Sequence, residues 1–378
     1  MNRTALSSEM VGKRAGDVPS DDRAPVGIPA NSVCDRMVMD RFFRDRRWDP
    51  YYLKRFRYAL FVEGRRDADA LGMLPHDIRE TVSRRFNIHA LSGPDVVSSE
   101  ADESEKALFS CRPSDALHAE NYSFETVLVR GLGRRRTLCV SSQVGCAASC
   151  RFCATGQMGL RRQLSTNEIL DQVLRFRQRL RETGEHLRNV VFMGMGEPLH
   201  NELAVYGALE LLQDARMFGF SPRRIMVSTV GIPDAMRRFS RRFPKTSLAL
   251  SLHPADQDQR ADLIPWAKTT HLNELRSVLT EIVATGRTVM IEYLMLNRVN
   301  DSPEHAKLLA KFLEDLRVHI NLIPFNPIDG VPWTSSPREV RDRFATLLRK
   351  RGFVVTIRYS QGHDIAAACG QLVTGAGR

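Results

Sequence analysis

The chain has 378 residues, of which 43% are hydrophobic and 26% charged, as in ordinary soluble globular proteins, and no apolar run is long enough to cross a bilayer. The length permits one large barrel-type domain with an appendage, or two ordinary domains. The formal net charge is +11, and most of the positive charges are Arg. Because the guanidinium fork matches phosphate geometry, this charge favours RNA or DNA as a partner, although solvated Arg clusters would give the same count.

The first segment, residues 1–31, is rich in small and polar residues and lacks apolar periodicity. This composition predicts a disordered tail, not a secretory signal or a membrane anchor. Three of the seven cysteines fall within eight residues, which is typical of a metal site in a reducing compartment and not of a disulfide framework. We therefore expect a cytoplasmic protein.

Residues 32–92 predict a small helical accessory domain. The segments that begin at Asp49 and Pro75 place helix-starting residues ahead of apolar positions spaced three or four apart. The following Ser-Gly-Pro sequence at 92–94 opens a turn-rich stretch. Turn-forming residues of this kind favour a linker, which we assign to residues 93–124.

Residues 125–378 predict an α/β main domain. Short strands at 126–129 and 137–140 flank a turn and predict a hairpin, and a helix is expected from Thr166 to about Arg181. Short runs of Val, Ile and Leu then alternate with helical segments, at 190–193, 225–227, 248–250, 289–293 and 320–323. With the strand at Cys139 these runs predict a parallel six-stranded open barrel with crossover helices, and a last strand, 354–358, at its edge.

Three cysteines, Cys146, Cys150 and Cys153, follow the first barrel strand in one compact loop. Three thiolates for four irons leave one iron of an iron-sulfur cluster open, which allows the cluster to chelate a small molecule and pass it an electron. The alternative is a structural zinc site. Its fourth ligand would be one of three histidines, His186, His200 or His253.

Polar residues stand at the expected carboxyl ends of successive strands, where barrel folds carry their active sites. They are Glu197, Ser228, the step from Ser251 through Leu252 to His253, and Asn326. Glu197 follows Gly194 and Gly196, which permit close backbone approach to a ligand, and its carboxylate could accept hydrogen bonds from an ammonium group. Taken singly, each residue could equally cap a helix or start a turn.

Together with the cysteine loop, these segments closely resemble the RlmN/Cfr family, radical S-adenosylmethionine (SAM) RNA methyltransferases that methylate adenine at carbon 2 or carbon 8. The resemblance runs from about Glu125 to Leu372, and residues 137–146, 194–201, 322–327 and 368–372 carry it. It implies a partial (β/α)6 radical SAM barrel with a 4Fe-4S cluster on the three loop cysteines. It also implies that SAM is bound by Gly196, Glu197, Ser228, Ser251, Leu252, His253 and Asn326.

The resemblance further implies that Cys369 carries a methyl group as S-methylcysteine and that Cys139 resolves the RNA adduct through a transient disulfide with Cys369. Glu125 matches the family's proton acceptor, although the loop from there to Cys139 is one residue longer here. Two SAM molecules per turnover, an electron donor, a thiol reductant and a monomeric enzyme are expected. The implied RNA is 23S ribosomal RNA, with transfer RNA a further candidate and carbon 2 the commoner target.

Two alternatives stay open at this point. The same barrel could act on a different RNA or on a substrate other than RNA, because residues 32–92 agree with the family's RNA-binding accessory domain only weakly, mainly at 69–75. The chain could instead be a non-enzymatic RNA-binding protein with a structural zinc. Cys34 and Cys111 lie outside the matched segments, and we expect them to be surface or partly buried free thiols.

Overall fold

The structure is a computed structural model that describes residues 31–111, 122–131, 133 and 135–373, so the predicted tail lies outside the described residues apart from Asn31. The strands are β1 (Asn31–Ser32), β2 (Phe86–Asn87), β3 (Ser92–Ser98), β4 (Glu105–Cys111), β5 (Tyr122–Arg130), β6 (Arg136–Cys139), β7 (Gln143–Val144), β8 (Arg162–Gln163), β9 (Asn189–Phe192), β10 (Ile225–Thr229), β11 (Ser247–Ser251), β12 (Val289–Met295), β13 (Val318–Pro324) and β14 (Val354–Ile357).

The α-helices are α1 (Arg36–Asp45), α2 (Pro50–Arg57), α3 (Asp67–Leu71), α4 (His76–Arg85), α5 (Ala154–Gln157), α6 (Thr166–Glu182), α7 (Glu202–Gln213), α8 (Pro233–Arg242), α9 (Gln257–Leu263), α10 (Leu272–Ala284), α11 (Pro303–Phe312) and α12 (Arg338–Lys350). One π-helical turn, Tyr58–Val62, continues α2, and short 3-10 turns occupy Pro198–His200, Pro222–Arg224 and Pro265–Lys268. The predicted helix at Thr166 is confirmed as α6.

A ten-stranded sheet forms the centre of the molecule, in the order β14-β13-β12-β11-β10-β9-β6-β5-β4-β3. The strands from β14 to β6 are parallel, and helices connect them. Helices on the sheet bury the central strands, which is why the strands read as nearly continuous apolar runs. The six predicted barrel strands and the edge strand at 354–358 are confirmed.

The two ends of the parallel part of the sheet approach each other without pairing. Cys139 at the end of β6 and Arg358 just after β14 line the same cavity, and the Gln361 amide donates a 2.9 Å hydrogen bond to the Arg130 carbonyl of β5. The sheet therefore curls into a barrel. The barrel is open, because β14 and β6 share no ladder of hydrogen bonds. This confirms the predicted partial barrel.

The predicted linker over 93–124 is wrong for the described part of that stretch. β3 pairs antiparallel with β4, and β4 pairs antiparallel with β5, so both strands extend the central sheet. Alternate residues of β4, including Ala107 and Phe109, are buried, as period-two strands require. Tertiary pairing with β5 overrides the turn-forming residues at 92–94.

The predicted helical region forms α1 to α4, and it packs against the barrel as part of one shared hydrophobic core. His89 fixes this contact: its two ring nitrogens lie 2.6 Å from an oxygen of Asp171 in α6 and 3.0 Å from one of Asp67 in α3. Burial alone lowers the pKa of His89, but the two carboxylates outweigh it and raise the pKa to about 9. His89 is therefore a charged bridge between the helical region and α6.

Cys34 and Cys111 are core residues, with 1% and 2% of their surface exposed, so the expectation of surface or partly buried thiols is wrong. Burial raises the pKa of the Cys34 thiol to about 12 and that of Cys111 to about 11. Both are thus inert packing residues at neutral pH. Within the described ranges, no helix combines the length and apolar character needed to span a membrane.

Candidate active site

Two adjoining cavities lie at the carboxyl ends of the barrel strands. The first, of about 180 Å³, is lined by the three loop cysteines, and the second, of about 300 Å³, by Cys139. Cys369 lines both. The residues common to the two cavities, which we call the shared wall, are Cys153, Thr155, Met193, Gly194, Arg358, Cys369 and Gly370.

The cysteine loop brings Cys146, Cys150 and Cys153 to the first cavity. Gly145 starts the loop with φ of +76°, and a Cβ there would lie 1.8 Å from the Gly159 carbonyl oxygen, so only glycine fits. Burial raises the pKa of Cys146 to about 12 and raises those of Cys150 and Cys153 as well. Three half-buried thiols that resist ionisation need a bound cation to hold them as thiolates.

The donor set fits a 4Fe-4S cluster better than a single metal ion. Among the residues that the structure describes, no three His, Cys, Asp or Glu side chains are grouped to bind one metal ion. A zinc ion would need its thiolates at about 2.3 Å from one centre. In an iron-sulfur cubane each thiolate binds a different iron, so the thiols stand farther apart. Cys146, Cys150 and Cys153 line one cavity and would supply one thiolate to each of three irons.

Two of the three histidines proposed for the zinc alternative have other contacts. His253 packs edge-on against Phe152, with ring centroids 4.8 Å apart, and its Nδ1 accepts a 3.0 Å hydrogen bond from the Leu294 amide. His200 packs against Trp266 at 4.4 Å. The zinc alternative therefore gains no support from the described residues.

The first cavity also contains Gly196, Glu197, Ser228, Ser251 and His253, all predicted for the ligand site. The Glu197 carboxylate accepts hydrogen bonds from the Val230 amide at 2.7 Å and the Leu199 amide at 2.9 Å. Burial raises the pKa of this carboxyl to about 7, although the two amides oppose the shift. The buried Glu197 carboxyl thus faces the cavity with a pKa of about 7, so it can be protonated or ionised near neutral pH.

The two glycines before Glu197 allow a close contact between two loops that could not be predicted from the sequence. Gly196 has φ of +100°, and a Cβ on it would lie 2.5 Å from Cβ of Gln143. A Cβ on Gly194 would lie 2.6 Å from Oγ of Ser141. The close approach is therefore between the turn after β9 and the segment after β6. Gln143 in turn accepts a 2.8 Å hydrogen bond from the Glu197 amide and fixes that turn.

His253 lines the first cavity as a neutral side chain on a strained backbone. Its φ of +56° is uncommon for a residue with a side chain and is typical of functional sites. Burial, and to a lesser extent the charge of Arg260, lowers the pKa of His253 to about 3. Because Nδ1 accepts from Leu294, the ring proton resides on Nε2.

Two predicted ligand residues support the cavity instead of lining it. Leu252 is fully buried, and its carbonyl accepts a 3.0 Å hydrogen bond from the Arg260 side chain. The Asn326 amide donates a 2.9 Å hydrogen bond to the carbonyl of Cys369. Oδ1 of Asn326 is buried without a partner in the described structure. Asn326 thus holds the segment that carries Cys369.

The Cys369 segment is bound directly to the cysteine loop. The Ala154 amide donates to the Gly370 carbonyl at 2.8 Å, and the Thr155 hydroxyl donates to the Leu372 carbonyl at 2.6 Å. Cys369 and Cys139 are both free thiols on the second cavity. Burial and then the proximity of Cys369 raise the pKa of Cys139 to about 12. The fold thus brings together two thiols 230 residues apart in sequence.

Glu125 is placed differently from the expectation. Its carboxylate accepts a 2.9 Å hydrogen bond from the Val373 amide and pairs with Lys106 at 3.0 Å. It is not among the residues that line either cavity. In this conformation Glu125 anchors the C-terminal segment behind Cys369.

Sequence reasoning missed Arg358 and Glu292, which both line the first cavity. A signal for Arg358 was present, because it directly follows β14 and so obeys the same carboxyl-end rule that identified Glu197. Glu292 lies within β12, where an inward-facing charged residue cannot be told from an outward-facing one without the register.

Comparisons with known proteins agree with this geometry. The model of the radical SAM superfamily matches residues 140–310. A relative from Rhodopirellula baltica named "Probable RNA methyltransferase" is 45% identical over 89% of this chain and 86% of its own. A Thermus thermophilus protein named "Probable dual-specificity RNA methyltransferase RlmN" is 38% identical over 85% of this chain and 88% of its own.

A solved structure gives the same answer for the fold. The crystal structure of a radical SAM methyltransferase from Sphaerobacter thermophilus superposes with a TM-score of 0.84 at 36% identity, covering 90% of this chain and 99% of that one. Identity at this level over most of both chains excludes a non-enzymatic zinc protein. The cysteine loop, the barrel and the paired thiols therefore belong to a radical SAM enzyme, and the chain is a member of the RlmN/Cfr family of RNA methyltransferases.

Proposed function

We propose that the protein methylates a carbon of adenine in RNA, carbon 2 in preference to carbon 8, with Cys369 as the methyl carrier. The observation that carries this proposal is the convergence of Cys139 and Cys369 on one cavity, which adjoins the cavity of the cysteine loop. An adenine carbon is a poor nucleophile, so methylation needs a radical and a carrier from which the base can be released. Two thiols beside a radical source meet that need.

Cys146, Cys150 and Cys153 would hold the 4Fe-4S cluster, and Gly196, Glu197, Ser228, Ser251 and His253 would surround SAM. When bound, these groups supply the methyl group and a radical that removes hydrogen from it, which consumes two SAM molecules per turnover. Leu252 and Asn326 support the same walls from behind. Neutral His253 can donate from Nε2 without adding positive charge beside a cationic ligand.

The chemistry of release belongs to the two thiols. After radical addition the base is bonded to Cys369 through a methylene carbon, and the unpaired electron on the ring must leave to a one-electron oxidant, a role that the oxidised cluster would fill. Cys139, whose thiol is protonated in the resting enzyme, gives up its proton as its sulfur attacks the Cys369 sulfur, so a disulfide forms and the carbon–sulfur bond breaks. The electron pair of that bond stays with the methylene carbon, which takes up a proton, while the ring carbon loses its own proton. Glu125 remains the proposed acceptor, and it would have to exchange its contact with Val373 to reach the base. A thiol reductant and an electron donor then reset the enzyme.

The charge of +11 supports RNA as the substrate, as do the names of the relatives. We propose 23S ribosomal RNA, with transfer RNA as a further candidate, a monomeric enzyme and a reducing cytoplasmic setting that keeps the thiols free. Nucleoside mass spectrometry of both RNAs from cells with and without the gene tests this. 2-Methyladenosine should disappear on deletion and return with the wild-type gene but not with Cys369→Ala. An unchanged level of every methyladenosine would contradict the proposal, and loss of 8-methyladenosine would reassign the carbon.

Affinity for SAM is expected to rise with pH through the pKa of Glu197. Burial raises that pKa to about 7, so the carboxyl is mainly protonated at pH 6 and ionised at pH 8. Because an ammonium group prefers the ionised form, affinity should increase by roughly tenfold between these values. Equilibrium binding to cluster-reconstituted protein measures this. The Glu197→Gln variant should bind more weakly with a flat profile, and a profile that stays unchanged in the variant would show that another group is responsible.

A further inference from the structure

Arg358 is a cation without a protein partner in the interior of the site. It lies on the shared wall, yet none of its side-chain N–H groups donates a hydrogen bond to a described residue, and it forms no ion pair within the described chain. Arg358 is half-buried and its guanidinium nitrogens keep some exposure to the cavity, so these donors remain available to water or to a ligand. By contrast, buried Arg260 donates to the Leu252 carbonyl at 3.0 Å and the Val230 carbonyl at 2.6 Å. The guanidinium of Arg358 is therefore free to bind a ligand.

The surroundings of Arg358 keep it charged. Cys369 is the strongest influence and raises the pKa of Arg358, while burial opposes the shift and Glu292 adds to it. Glu292 is itself held in place, because one carboxylate oxygen accepts a 2.6 Å hydrogen bond from the Asn321 amide. Asn321 is braced by the Thr356 hydroxyl at 3.0 Å. The other oxygen of Glu292 is buried without a partner in the described structure.

The position of Arg358 relative to the two thiols defines what it can contact. A base that bonds to Cys369 and is released by Cys139 must enter the second cavity, which both cysteines and Arg358 line. Carbon 2 and carbon 8 of adenine each lie between two ring nitrogens, and the unsubstituted ring nitrogens accept hydrogen bonds. Arginine has five donors and no acceptor, so it matches such a nitrogen and not the exocyclic amino group.

We propose that Arg358 is a catalytic residue that donates a hydrogen bond to a ring nitrogen of the substrate adenine, beside the carbon that is methylated. The inference rests on the proposed function. When the methylene radical on Cys369 adds to that carbon, a carbon–carbon bond forms and the unpaired electron moves onto the ring, with no atom gained or lost. The guanidinium keeps its protons, makes the attacked carbon poorer in electrons and stabilises the density that develops on the nitrogen.

The test separates the two halves of the reaction in the Cys139→Ala background, where the adduct with RNA should accumulate. S-methylation of Cys369 is scored in Arg358→Lys, which keeps the positive charge beside that thiol, and it should be unchanged there, as measured by the mass of the peptide that contains Cys369. Adduct formation in both variants is expressed per methylated Cys369. Formation of the covalent protein–RNA species should slow by roughly 10- to 100-fold in the Met variant, and by less in the Lys variant, which keeps the charge but loses the fork. Arg351→Met, at an exposed arginine near the same edge of the sheet, is the matched control and should behave as the parent.

RNA analogues identify the nitrogen. Target RNA with 1-deaza-, 3-deaza- or 7-deazaadenosine should slow adduct formation in the parent, and the analogue that lacks the contacted nitrogen should cause no further loss in Arg358→Met. Losses that add fully for all three analogues would overturn the inference. So would a parallel loss of S-methylation or of SAM affinity, which would place Arg358 at Cys369 or at SAM. If the parent itself never methylates Cys369, the proposed function fails before Arg358 is tested.

Discussion

The Cys369→Ala variant is expected to transfer no methyl group to RNA, a loss of at least roughly a thousandfold, as when a covalent catalyst's nucleophile is removed. The reason is that Cys153, the other described thiol that lines both cavities, is assigned to the cluster and cannot replace Cys369 as a carrier. Asn326 and Ala154 donate hydrogen bonds to main-chain carbonyls of this segment and not to the Cys369 side chain. Replacement of that side chain by alanine should therefore leave the fold intact. Transfer of label from methyl-labelled SAM to RNA measures the effect.

A second cysteine provides the control for this loss. Cys111 is buried in β4 and lines neither cavity, so Cys111→Ala should keep methyl transfer close to the wild-type level while lowering stability by about 1 kcal/mol. Reductive cleavage of SAM should also persist in Cys369→Ala, because the cysteine loop is untouched. Methyl transfer by Cys369→Ala at a substantial fraction of the wild-type rate would refute the carrier role.

The Cys139→Ala variant is expected to accumulate a covalent protein–RNA species instead of free product. The adduct forms at Cys369, and the thiol left on the second cavity, Cys153, is assigned to the cluster and so is not free to attack the sulfur of the adduct. Turnover should therefore stop after about one event per enzyme. A slowly migrating band that nuclease treatment shortens, seen by denaturing electrophoresis, measures the adduct.

The double variant Cys139→Ala/Cys369→Ala should show no such band, because the atom that forms the adduct is gone. A band in the double variant would place the bond elsewhere on the protein. Multiple turnover by Cys139→Ala without any covalent species would show that Cys139 is not the resolving residue.

Much of the barrel could be predicted from the sequence because its signals are local. The apolar runs at 190–193 and 320–323 recur between helical segments, and β13 shows the cause most clearly, because nearly all of its residues are buried. β3 and β4 could not be predicted in the same way. Their pairing with β5 is a long-range contact, and the turn-forming residues at 92–94 point away from it.

The candidate site also combines features that local sequence signals predict with contacts that they could not predict. The spacing of Cys146, Cys150 and Cys153 predicts a loop that binds a cluster, since three thiols within eight residues need no tertiary information to be neighbours. The carboxyl-end rule then leads to Glu197 and His253. The same rule assigns no contact, so it could not show that Asn326 holds the Cys369 carbonyl or that Glu125 is bonded to Val373 and Lys106.

The sequence by itself determined the chemistry that this protein can carry, because cysteine spacing and strand periodicity are properties of neighbouring residues. The tertiary structure alone decided which distant groups share a cavity. Curling of the sheet brings the carboxyl end of β6 to that of β14, so Cys139 and Arg358 meet beside Cys369 although β6 and β14 stand at opposite edges of the parallel part of the sheet. That meeting depends on barrel curvature and packing, which no local pattern records.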